Sequence, residues 1–249
     1  MKRILSFISV LIIGLTMTAC GSSEPAKTPS VADNDKAAVQ EKLNKSESKT
    51  ETAVTTDEDK QIETTEVPAE KPEEQTSDGS NILVAYFSRA DENYSVGTIE
   101  VGNTQVLGEY IASEVGADSF HIETVTPYPA GYDECCDVAK QELNDKARPE
   151  IIGSVNMEQY DIVFLGYPIW WGDMPMAVYT FMESYDWSDK VVIPFCTHEG
   201  SGLSGTDGSI ASVTGAQVLT AIDMRGSTAQ ALIDDTKQTV RTWLDGFGF

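Results

Sequence analysis

Between residues 81 and 249, short and nearly unbroken apolar runs alternate with longer segments whose apolar positions return every three or four residues. "NILVAYFS" (81–88), "YDIVFLGYP" (160–168) and "KVVIPFCT" (190–197) are runs of the first kind, rich in β-branched and aromatic residues. Such runs predict strands buried on both faces, as in a parallel sheet. "SFHIET" (119–124) predicts a short strand, and "AQVLTAIDM" (216–224) the last one. The helical spacing is plainest in "TQVLGEYIASEVGAD", where Leu107, Ile111 and Val115 recur every four residues before Gly116 stops the pattern. Further helices are predicted in "DECCDVAKQELNDKA" ahead of Pro149, from Met174 to about Tyr185, and within "LSGTDGSIASVTG". A closing helix over "STAQALIDDTKQTVRTWLDGF" would bury Leu232, Ile233, Val240, Trp243 and Leu244.

Five strands separated by helices predict an α/β fold, with a doubly wound, five-stranded parallel sheet between two helical layers and right-handed crossovers. Ligands of such sheets bind beyond the carboxyl ends of the strands, where the strand order reverses. The loops after residues 88, 167 and 196 are therefore the ones to read for chemistry.

The pattern is different over the first 80 residues. Lys2 and Arg3 precede the apolar run "ILSFISVLIIGL", which is short for a membrane span and is followed by small residues and a cysteine. "MTAC" with Gly21 resembles a bacterial lipobox, although Met17 stands where leucine is usual. That resemblance implies a signal peptide over residues 1–20 and acylation of Cys20, hence an extracytoplasmic protein held to the cell membrane by lipid alone. Residues 21–80 contain no aromatic residue and carry a net charge of −8, a composition that predicts a disordered acidic tether.

Charge and cysteines narrow the rest. Residues 81–249 form one domain with a net charge of −17, out of −23 for all 249 residues, so nucleic acid is excluded as a partner. Cationic or neutral partners fit better. Of four cysteines, Cys20 belongs to the leader, Cys135 and Cys136 are adjacent, and Cys196 ends an apolar run. A bridge from Cys135 or Cys136 to Cys196 is open in an oxidising compartment, and no Cys/His spacing suggests a metal site.

Three loops carry candidate chemistry. After the first strand, Ser88 begins a long loop that ends in "GNTQ" at a helix start, where hydroxyls and backbone N–H groups hold an anion without a basic residue. After the second long strand, "GYPIWWGDMP" sets Trp170 and Trp171 in a turn stiffened by Pro168, Gly172 and Pro175. One tryptophan is expected to stack on a planar ring and the other to pack inward, with Pro168, Ile169 and Gly172 flanking. After the third, "CTHEGSGLSG" has glycines for close backbone approach to a ligand edge. His198 within it is either a solvated loop residue or a donor of a hydrogen bond or proton to a ring nitrogen, and is the candidate catalytic group. Together the loops describe a site for a mononucleotide with a flat head.

"VAYFS…GNT", "PYPAGYDE…AKQELNDKARPEI", "YDIVFLGYPIWWGDMP" and "PFCTHEGSGLSG" resemble the flavodoxin family across essentially all of residues 81–249. The resemblance implies strand order 2-1-3-4-5 and FMN as cofactor. It assigns the phosphate to Ser88, Gly102, Asn103 and Thr104, with Gln105 beside them. It sets the isoalloxazine between Pro168, Ile169, Trp170 and Trp171 on one side and Thr197, His198, Gly200, Ser201 and Gly202 on the other. Residues 89–101 depart from the family's short phosphate loop as an insertion, in which Asn93 and Tyr94 are the residues to test. Arg89 is open between a phosphate contact and solvent.

The resemblance and the loops together imply an electron-transferring flavoprotein, its ring held at low potential by Asp173 and Glu199. A redox protein or a small acceptor such as a quinone is the expected partner. The alternatives are an FMN-dependent quinone or NAD(P)H reductase, and a binding module that has lost turnover. No G-x-G-x-x-G follows a strand, so no dedicated NAD(P) domain is expected.

Overall fold

The computed structural model describes residues 28–50 and 81–249; the leader, Cys20 and the remainder of the predicted tether lie outside them. In chain order the first elements are α1 (Asp33–Thr50), β1 (Ile82–Tyr86), β2 (Asp91–Asn93), β3 (Gly97–Ile99), α2 (Asn103–Val115), β4 (Asp118–His121) and α3 (Tyr132–Asp145). After a single 3₁₀ turn at Met157–Gln159 come β5 (Ile162–Pro168), α4 (Met176–Glu183), β6 (Val191–His198), α5 (Thr206–Thr214), β7 (Gln217–Val218), β8 (Ile222–Arg225), α6 (Gly226–Ala231) and α7 (Asp234–Phe247). The central sheet has the order β4-β1-β5-β6-β7, with β8 also on β6, and every pairing in it is parallel. Taking β7 and β8 as one position, this is the expected 2-1-3-4-5 order in three layers.

Alternation along β1 shows how the layers form. Ile82, Val84 and Tyr86 join a core with α2 and α7, whereas Leu83, Ala85 and Phe87 join the opposite core with α4. Both faces are dry, which is why the strands read as unbroken apolar runs. Gly166 in β5 is dictated by packing, since a methyl there would lie 2.1 Å from Cζ of Phe195. Gly108 lets α2 settle onto the same layer, where a methyl would meet the Tyr86 ring at 2.8 Å.

Three expectations are corrected. The last strand is split, because Thr220 turns away from the ladder: its N–H donates to Asp35 Oδ2 at 2.8 Å, and its carbonyl accepts from Trp243 Nε1 at 3.0 Å. The closing helix is likewise two helices. Leu232 ends α6 in the left-handed region, and Asp234 and Asp235 open α7 with acidic residues suited to a helix start. Ile233, at the break, is 59% exposed rather than buried.

The third correction concerns the tether. Its residues 33–50 form α1, which lies against α7 with Val39 fully buried and Ala38 nearly so. Val31 packs beside Gly246, and Gln40 donates to the Phe247 carbonyl. Val31 and Leu43 pack alongside them, and α7 and Thr220 supply the other half of the contact. Among the described residues no helix is long and apolar enough to cross a membrane.

Candidate functional site

The carboxyl ends of β1, β5 and β6 meet the N-terminus of α2, and α6 begins where β8 ends. Ser88 follows β1, and its Oγ accepts the Gln105 N–H at 3.0 Å, so it caps α2 from outside the helix. Gly102 permits this approach; a methyl there would stand 2.3 Å from Ser88 Oγ and 2.5 Å from the Arg89 carbonyl. The Asn103 and Thr104 amides, in the first turn of α2, have no intrahelical acceptor. Thr104 Oγ1 and Thr197 Oγ1 bond at 2.8 Å in a buried position, tying helix to β6. Gln105 sends its side chain to Glu109 instead and contributes only its backbone.

The insertion folds as an antiparallel hairpin of β2 and β3. Arg89 anchors it, donating to the carbonyls of Glu92, Pro129 and Ala130 from a half-buried position. Asn93 Nδ2 donates back to carbonyls of residues 89–91, and Tyr94 lies 5.9 Å from the Tyr132 ring.

In the second loop, Trp170 and Asp173 exchange backbone hydrogen bonds across Trp171 and Gly172, both at positive φ (55° and 80°), as a mirror-image turn demands. Trp170 points inward, edge-on to Phe87 at 5.3 Å and to Tyr128 at 5.1 Å. Trp171 turns outward and is 54% exposed; its Nε1 donates to the Cys136 carbonyl and the Lys140 ammonium lies 4.8 Å from its ring centre. Asp173 closes the second loop, as expected of a flanking residue, but its carboxylate turns to α4, with Oδ1 accepting from the Met174 N–H and the Tyr179 hydroxyl.

The third loop is organised by His198. Its Nδ1 accepts the Gly200 N–H at 2.8 Å, which fixes the proton on Nε2, and Nε2 donates to Asp223 Oδ1 at 2.8 Å. Both nitrogens are thus engaged, and the expected role as donor to a ligand gives way to one of shaping the loop. Gly200 (φ 127°) and Gly202 (φ 63°) make its turns.

A slot of about 150 Å³ opens between these loops. Of the expected residues, Asn103, Pro168, Ile169, Trp170, Thr197 and His198 line it. Ser88, Gly102 and Thr104 buttress it from behind, while Trp171, Gly172, Gly200, Ser201 and Gly202 are absent from its wall. Tyr132 and Gly226 were not foreseen. The only sequence sign for Gly226 is a glycine directly after the last strand, at the same sheet edge. A methyl on Gly226 would lie 2.3 Å from Asn103 Nδ2 and 2.9 Å from Glu199 Oε1. Asn103 Oδ1 and Glu199 Oε1 are buried without any hydrogen-bond partner, so the slot presents two unused acceptors beside the open amides of α2.

Next to it lies a larger cavity of about 510 Å³, lined by Arg89, Cys135, Cys136, Trp171 and their neighbours. Burial pushes the Cys135 thiol up to about 11 and raises Cys196 further, so neither is a ready nucleophile. Cys135, Cys136 and Cys196 are all free, which closes the question of a bridge among them. Among the described residues no cluster of acidic, His and Cys side chains is placed to hold a metal ion.

Residues 81–245 match the family model described as Flavodoxin. The chain belongs to the flavodoxin family. Among solved structures, a provisionally assigned flavoprotein of Bacteroides eggerthii is 28% identical, with a TM-score of 0.50 over 62% of this chain and 96% of the other. A similarly assigned flavoprotein of Bacteroides uniformis is 24% identical, with a TM-score of 0.52 over 65% and 97%. A Lactobacillus acidophilus flavoprotein solved in complex with FMN is 19% identical, with a TM-score of 0.46 over 61% and 97%. No curated protein matches the sequence. As a flavodoxin-family member, the chain has its slot at the switch point between β1 and β5, where such sheets bind ligands.

Proposed function

We propose that this flavodoxin-family domain binds FMN in the slot and serves as an electron-transfer flavoprotein, displayed outside the cytoplasm on a lipid attached to Cys20. The observation that carries the cofactor is the donor set of the slot. Open amides at the start of α2 suit a phosphate, and the unpartnered oxygens of Asn103 and Glu199 suit the hydroxyls and ring N–H of a ribityl flavin. Among the described residues no lysine or arginine lines the slot, which fits a phosphate held by helix dipole and hydroxyl groups in a strongly acidic protein. Bound FMN would supply one- and two-electron chemistry. The chain's own part is positional: Ile169 donates its N–H to the Thr197 carbonyl at 2.9 Å, locking the second loop to the third, and Trp170 forms the inner wall.

A reductase of small acceptors is the second reading, favoured by the 510 Å³ cavity that adjoins the slot. The decisive experiment is an absorption spectrum of the purified full chain with and without added FMN. Bound FMN gives a shifted, protein-specific flavin spectrum; a spectrum equal to the sum of free FMN and protein rejects the assignment. Radiolabelled palmitate incorporation that disappears in Cys20→Ser supports the anchor, and equal labelling of both rejects it.

A further inference from the structure

Where β1 leaves the sheet, side chains take over from the ladder in holding the backbone. Phe87 still donates its N–H to the Gly166 carbonyl at 2.9 Å. Beyond it, the Ser88 carbonyl accepts from His121 Nε2 at 3.2 Å, and the carbonyls of Arg89, Ala90 and Asp91 accept from Asn93 Nδ2. Register places His121 for this, since it ends β4 opposite Tyr86, two residues before Ser88. Its ring packs on that of Tyr86, with centres 5.0 Å apart and planes at 30°. A carbonyl can only accept, so the bond to Ser88 fixes a proton on Nε2, and it does so in the neutral and the charged imidazole alike. Nδ1 lies 3.8 Å from Glu123 Oε1, too far for a hydrogen bond. The one hydrogen bond of the His121 ring therefore goes to the residue that caps α2 at the phosphate end of the slot.

Ser88 is thus pinned twice, its carbonyl by His121 and its Oγ by the Gln105 N–H at 3.0 Å. An accepting hydroxyl still has its own hydrogen to give, and among the described residues no acceptor takes it. With the Asn103 and Thr104 amides it makes a set of neutral donors at the first turn of α2. No lysine or arginine among the described residues lines the slot, so preference for a phosphate depends on how well such neutral donors converge. The aim of a hydroxyl is only as good as that of its backbone. We propose that His121 is the positioning residue that makes the slot selective for a phosphorylated flavin over its dephosphorylated form: by holding the Ser88 carbonyl, it keeps the Ser88 hydroxyl beside the first-turn amides of α2. The inference rests on the FMN reading of the slot. His121 is absent from the slot wall, so it acts through Ser88 and only on the phosphate end.

The test compares FMN with riboflavin, which lacks only the phosphate, on the full chain, with each dissociation constant read from flavin fluorescence. Two variants separate the hydrogen bond from the packing. His121→Phe keeps a ring on Tyr86 and removes the donor; His121→Gln gives up the ring and reaches about as far with an amide N–H. Wild type is expected to bind FMN at least about tenfold more tightly than riboflavin. His121→Phe should lose roughly 3- to 10-fold in FMN affinity, the size of one hydrogen bond, with riboflavin affinity unchanged within about twofold. His121→Gln should bring FMN affinity back to within about twofold of wild type. A side chain that merely supported the fold would weaken both ligands together and would not be rescued by glutamine. Equal losses for the two flavins in His121→Phe, no loss of FMN affinity in it, or a His121→Gln that behaves like His121→Phe each overturns this proposal and leaves the FMN reading standing. A wild-type chain that binds both flavins equally, or neither, rejects the phosphate reading of the slot and this inference with it.

Discussion

Glu199 brings a carboxylate into a wall that otherwise offers neutral groups. Its Oε1 has no partner, and Oε2 is 3.8 Å from Arg225, too far for a tight pair. With FMN bound, this charge opposes the gain of electrons by the ring. Glu199→Gln removes the charge and keeps the shape, so the flavin potential should rise by on the order of tens of millivolts, read by spectroelectrochemistry. An unchanged or lower potential contradicts the placement. Gly102 tests the other end of the slot. Gly102→Ala forces Ser88 and the Arg89 carbonyl aside, and costs the cap on α2, about 1 kcal/mol. Melting should fall by roughly 2 to 4 °C, and FMN affinity should drop by at least about tenfold. His198 shows where residue type misleads: a histidine in a glycine-rich loop suggests proton chemistry, whereas its two nitrogens are committed to Gly200 and Asp223. Nothing in the local sequence signals a partner 25 residues away.

Among the elements, α1 is the one the chain's pattern hides. Val39 and Leu43 are four apart, yet the surrounding Lys, Gln, Asn and Glu dilute the stripe, and α1 finds its stability only on α7. Val39→Asp places an unpaired charge in that seam. The expected outcome is proteolytic cleavage within residues 33–50 at protease levels that spare wild type, with residues 81–249 left intact. Equal resistance of the variant would show that the seam contributes little. The β2–β3 hairpin is the converse case. The insertion is visible in the sequence, but its fold depends on Arg89 crossing to the carbonyls of residues 129 and 130.

For the whole molecule, acid titration depends on two opposed sets of carboxyls. Glu183 is held below the usual range by hydrogen bonds from Arg148, and Glu114 by those from Arg241 and then Tyr110. A depressed carboxyl stabilises the fold above its unfolded pKa, and that contribution is lost as pH falls through the folded value. Glu142 runs the other way: burial raises it, the Tyr128 hydroxyl only partly offsetting this, so protonation there relieves a cost. The melting temperature should therefore hold or rise slightly as pH approaches the ordinary glutamate value of about 4.3, then fall below it. Glu183→Gln should flatten the fall when melting is followed by circular dichroism. A melting temperature that declines steadily from pH 7 would show that these groups do not govern acid stability.

Legibility divides along the range of the interactions. The sequence alone determined the fold class and the three loops to read for chemistry, because buried parallel strands and amphipathic helices impose periods that need no knowledge of the partner; the strand order followed only from the family resemblance. Asn103, Pro168, Ile169 and Trp170 were found for the same reason, lying directly after strands or at a helix start. Tertiary structure alone decided which tryptophan faces inward, that Tyr132 and Gly226 enter the slot, that Thr220 breaks the last strand and that α1 docks. Each of these depends on groups brought together across long stretches of chain, such as Asp35 and Thr220, where neither residue's neighbours carry any trace of the other.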